Sequence, residues 1–67
     1  MEKKIYVVGL EEDLEAKVNS AVTAVAGVAS CTANALKAQV LVNFDESTAG
    51  IEDSINSAIS SCGLEVL

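Results

Sequence analysis

The chain has 67 residues, 51% of them apolar and 3% aromatic, with no Pro, Trp or His. It carries four Lys, no Arg and ten Asp plus Glu, for a formal net charge of −6. One small domain over residues 1–67 is expected, with a thin core, because a chain this short buries roughly 60% of its unfolded surface. The charge argues against nucleic acid, which needs clustered Lys or Arg, and against an anionic membrane surface. Without His and Arg, the usual proton shuttle and the usual oxyanion or phosphate clamp are both missing, so no enzymatic activity and no cofactor are expected.

The apolar run after Lys3 and Lys4 is too short for a signal peptide and meets an acidic loop at once. No stretch approaches the ~20 apolar residues that span a bilayer. Two cysteines, Cys31 and Cys62, do not make a disulfide framework. A soluble cytoplasmic protein with reduced thiols is the expectation.

Residues 3–8 are β-branched and aromatic-rich and stop at Gly9, which reads as a strand and a loop. Over residues 12–26, Leu14, Val18, Ala21, Val22 and Val25 share one helical face, and Gly27 is a stop signal. Residues 28–35 alternate, with Cys31, Ala33 and Ala35 on one side, as a half-buried strand does. Leu36–Ala38 connects to a strand over 39–44 with Val40, Val42 and Phe44 on one face. Asp45–Gly50 supplies turn and N-cap chemistry. A second helix over 51–62 repeats the spacing of the first with Ile51, Ile55, Ala58, Ile59 and Cys62, and Leu64–Leu67 is a short last strand. The serines of that helix fall between the apolar positions and read as its solvated face.

The order β-α-β-β-α-β defines an α+β fold, the ferredoxin-like sandwich: one four-stranded antiparallel sheet with both helices on one face. Its open face is expected to carry Tyr6, Val8, Leu36 and Leu41. These are ordinary exposed apolar residues, or the surface of a homodimer or partner contact.

These strings, in this order, resemble the heavy-metal-associated domain, the module of copper chaperones, metal-transporting ATPase N-termini and mercury-binding proteins. The matching pieces are Tyr6–Leu10, Val18–Val22, Val25–Val28, Asn34, Val40–Asp45, and Ile51 through Val66 with its Ala58-Ile59 and Cys62-Gly63 pairs. The resemblance implies the sandwich fold and a soft-metal loop, Gly-Met-x-Cys-x-x-Cys, at the start of the first helix. Here that loop reads Gly9-Leu10-Glu11-Glu12-Asp13-Leu14-Glu15. Counted from Val18, the family's two cysteines fall on Glu11 and Leu14. Counted from Gly9, they fall on Glu12 and Glu15. Neither alignment gives a thiolate pair, and the aromatic residue often found near the loop is Leu64.

Cu(I) needs two soft thiolates at one point, which hard carboxylates do not replace. In this topology Cys31 and Cys62 are expected at opposite ends of the domain, too far apart to share a metal or a disulfide, each serving as a small buried hydrophobe. The run Glu11, Glu12, Asp13, Glu15 suits a helix N-terminus, where each acid contributes about 0.3–1 kcal/mol against the macrodipole. It is also a candidate docking surface for a basic partner, at the end where the family's chaperones meet their partners. A Ca²⁺ or Mg²⁺ site needs about six converging oxygens, which one short run does not offer.

The function expected is therefore a non-enzymatic heavy-metal-associated-like domain without a metal site, acting through protein contact. The alternative is a metal-transport protein of copper-chaperone type with an atypical site, built through Cys62 in a dimer. An acylphosphatase-type enzyme on this fold lacks its Arg, and an RNA-binding module needs exposed aromatics on the central strands and a basic surface, which Tyr6 alone and a net charge of −6 do not supply.

Overall fold

A computed structural model describes residues 1–67. The chain order is β1 (Glu2–Val8), α1 (Glu12–Thr23), β2 (Val28–Asn34), β3 (Gln39–Phe44), α2 (Ile51–Ser61) and β4 (Glu65–Val66). The strands form one sheet in the order β2-β3-β1-β4, with every neighbouring pair antiparallel. This is the ferredoxin-like sandwich read from the sequence.

The core follows from the period-2 and period-3.6 patterns. Ile5 and Val7 of β1 and Val40, Val42 and Phe44 of β3 point to the helical side and are buried. Val18 and Val22 of α1 and Ile51, Ile55 and Ile59 of α2 meet them from above. No polar or charged residue is buried, so the interior carries no desolvation cost to offset.

The differences from the expected elements lie at their ends. α1 stops at Thr23 rather than 26: Ala24 makes the last bond of i−4 type, to the Ser20 carbonyl, and Val25 and Val28 bond three residues back in successive turns instead. Gly27 is therefore not the helix stop. It has φ +96°, and a Cβ there would stand 2.7 Å from Thr48 Oγ1, so its role is to let this turn lie against the start of α2. No side chain of Asp45–Gly50 caps α2: Gly50 is the N-cap residue, and Asp45 instead accepts the backbone N–H and the hydroxyl of Ser47. β2 ends at Asn34, α2 at Ser61, and β4 has two residues.

Two expectations about faces change. On β2 only Ala33 is buried; Cys31 and Ala35 are half-buried. A register shift between Val28 and Ser30 puts an extra residue into β2, so Val28 and Cys31 both pack against the core. Leu36 lies in the turn Ala35–Ala38, 93% exposed, and not on the sheet; Tyr6 and Val8 are exposed on the open face and Leu41 is half-buried there.

The two edges of the sheet differ. β2 is an outer strand, and the N–H groups of Ala33 and Ala35 face away from β3. Asn19 Oδ1 accepts the first at 2.7 Å and Glu15 Oε2 the second at 2.7 Å. Both acceptors come from one flank of α1, four residues apart, where helical geometry stacks them. They supply the ladder partners that an edge strand lacks.

Candidate functional site

β1 delivers the chain to the loop at Gly9, whose φ of +95° turns it under the α2–β4 connection. A Cβ on Gly9 would lie 3.7 Å from Leu64 Cδ2 and 4.0 Å from the Gly63 carbonyl, so the two turns sit in contact distance of each other. Leu10 folds inward and is buried, and Leu14, one turn into α1, packs half-buried against the core. Cys62 and Leu64 close the same end from α2 and β4, both buried. The loop is thus plugged by leucine side chains: Leu64, which stands where the resemblance has an aromatic residue, and Leu10, whose inward turn the sequence patterns did not single out.

The four acids divide. Glu11 is the N-cap residue of α1 with an extended backbone and no side-chain cap bond, and its carbonyl accepts the Leu14 N–H at 2.9 Å. Glu11, Glu12 and Asp13 are exposed. Glu15 is half-buried, and its carboxylate goes to Ala35 N–H across the fold. At the helix N-terminus all of them are favoured by the macrodipole. No three His, Cys, Asp or Glu side chains are grouped so as to hold a metal ion.

The thiols sit apart. Cys31 pairs with Val42, which pairs with Lys3 near the start of β1. Cys62 precedes β4, which pairs with Val7 and Val8 at the end of β1. From Lys3 to Val7 a strand advances about 13 Å, beyond the reach of a disulfide or a shared metal. The Cys62 thiol donates to the Ala58 carbonyl at 3.5 Å, a helical back-bond. Burial pushes the Cys31 thiol up to about 11, so near neutral pH it is protonated and a poor ligand. Both cysteines are free. No helix is long and apolar enough to cross a membrane.

With this geometry the chain has the fold of the heavy-metal-associated domain and resembles that family along its whole length. Among solved structures it is similar to a CopZ metallochaperone, with TM-score 0.90, 26% identity and all of both chains covered. It is also similar to a copper-binding domain from HMA7, a P-type ATPase, with TM-score 0.81 and 26% identity over 98% of this chain and 92% of that one. The yeast copper transporter domain Ccc2a matches with TM-score 0.79 and 26% identity, covering 98% and 93%. No protein-family model and no curated protein sequence matches the chain.

Proposed function

We infer that this domain is a non-enzymatic, cytoplasmic member of the copper-chaperone type of fold that does not carry soft metal and works by protein contact. One observation carries the reading: at the loop where the resemblance implies two cysteines, the chain has Glu11, Glu12, Leu14 and Glu15, with Leu10 and Leu14 turned into the core. A leucine-packed loop has no ligand to offer Cu(I). The exposed acids Glu11, Glu12 and Asp13 then present a docking surface to a partner with basic side chains, with the net charge steering the encounter. Glu15 supports that surface from behind through its bond to Ala35.

The test is a Cu(I) titration of the reduced protein against a colorimetric chelator, beside a Cys31→Ala/Cys62→Ala double variant. The expected result is that neither protein withdraws copper. Thiol-dependent competition by the wild type alone overturns the reading and makes the domain a metal carrier with a rebuilt site.

A further inference from the structure

The second edge of the sheet is left as open as the first is closed. Met1, just before β1, and Val7 bond to Phe44 and Ala38, so the odd residues of β1 direct their backbone groups toward β3. The even residues direct theirs to the other side. There Leu67 N–H bonds the Tyr6 carbonyl, and Val8 is paired with Glu65. Within residues 1–67 this leaves the N–H and C=O groups of Glu2 and Lys4 on an outer edge, with no helix side chain turned to them as Asn19 and Glu15 are to β2.

Only one antiparallel two-fold register matches these two residues to each other: Glu2 of one copy against Lys4 of the next, twice. In that register the backbone groups of both residues are satisfied reciprocally, and opposite charges face each other on the open face of the sheet, which is favourable for cross-strand neighbours. Lys3 meets Lys3 on the helical side, each already paired to its own Glu52. Shifting by one step of the ladder sets Glu2 against Glu2 or Lys4 against Lys4. Charged residues normally guard an edge against pairing; here they guard against every register but one. The segment also holds two of the chain's four lysines, so two acidic molecules repel least at this place.

We propose that the Glu2–Lys4 edge of β1 pairs with the same edge of a second copy, joining two sheets into one of eight strands. The contact is small against the roughly 1,000 Å² of a stable interface, so association belongs near millimolar protein, about −4 kcal/mol.

Sedimentation velocity and a dilution series of amide spectra on the 67-residue chain test it. The expected result is a dimer at millimolar concentration, with shifts centred on the Glu2 and Lys4 amides. Glu2→Lys and Lys4→Glu each put like charges in both pairs, so each variant alone stays monomeric. Mixed in equal amounts they restore opposite charges in both pairs, and the heterodimer forms. Circular dichroism confirms that both exposed-site variants fold. A monomeric wild type overturns the proposal. So do variants that associate as the wild type does, and so does loss of the dimer on Tyr6→Ser with Glu2→Lys unaffected, which assigns the contact to the sheet face instead.

Discussion

The carboxylate of Glu15 accepts the backbone N–H of Ala35 at 2.7 Å, across twenty positions of sequence. Four residues along the same helix flank, Asn19 does the same for Ala33. Together they fix α1 to β2 by hydrogen bonds rather than by apolar packing alone. Glu15→Ala leaves a partly buried N–H without its charged acceptor, and a cost of about 1–3 kcal/mol is expected. Glu15→Gln keeps an acceptor and costs less. Urea unfolding measures the ranking. Amide exchange measures its locality, with protection lost at Ala35 in the first variant and at Ala33 in Asn19→Ala.

Two of the five positions with positive φ carry opposite residue choices. Ala38 has φ +51° in the β2–β3 turn, where an L side chain costs about 1–2 kcal/mol. Ala38→Gly is therefore expected to raise stability by up to about 1 kcal/mol, after the loss to unfolded-state entropy. Gly27 already has the residue its φ requires, and its missing Cβ makes room for Thr48. Gly27→Ala combines backbone strain with overpacking, and a loss of about 2–4 kcal/mol is expected. Thermal melts of the two variants should move in opposite directions.

Val18 of α1 and Ile55 of α2 both lie between the helices and the sheet, with 0% and 1% exposure. Truncating either to Ala removes buried methyl groups and leaves a void, at about 2–4 kcal/mol. In a domain whose total is on the order of 5 kcal/mol, either variant should be largely unfolded near body temperature by circular dichroism.

The raised titration of Cys31 sets an alkaline limit. The unfolded thiol ionises near 9.0 while the folded one holds its proton to about 11. Between those values the unfolded state binds fewer protons, so stability falls as pH rises through that window and is level below it. Cys31→Ala should flatten the slope between pH 9 and 11 in urea titrations. Alkylation of the native protein by iodoacetamide should be slow at pH 8 for the same reason.

Asp45 behaves oppositely at the acid end. Ser47 donates both its hydroxyl and its N–H to the Asp45 carboxylate, and these bonds hold its titration below the ordinary carboxylate value. Its contribution is present above the unfolded pKa and is lost as pH falls through the folded one. Ser47→Ala is expected to raise the Asp45 titration midpoint, read from its side-chain carbon shift.

Much of the architecture was legible because apolar spacing reports burial directly. The Val18/Val22 and Ile51/Ile55/Ile59 stripes became the buried faces of α1 and α2, and Val40, Val42 and Phe44 the buried face of β3. What escaped was decided by single contacts between distant residues. Nothing local to Glu15 distinguishes an acid that serves the macrodipole from one that serves Ala35. Nothing local to Gly27 distinguishes a helix stop from a close approach to Thr48. The β2 irregularity near Ala29 likewise depends on how β3 lies beside it. The absence of a cysteine pair at the candidate loop could be read at once, since it needs no geometry. The inward turn of Leu10 could not, because a lone leucine after a glycine has no period to betray its side.

The place of β1 has a consequence for the order of events in folding. It lies between β3, whose pairing residues are 39–43, and β4, at 65–66. β1 is thus held on both sides by segments far along the chain, and its second pairing waits until residues 65–66 are available. Local helices can form early, but sheet completion demands long loop closures, which slow folding. On a ribosome the nascent chain must keep β1, with its Ile5 and Val7, unpaired on one side until residue 66 has left the exit tunnel. The acidic character of the following loop then favours solubility during that wait.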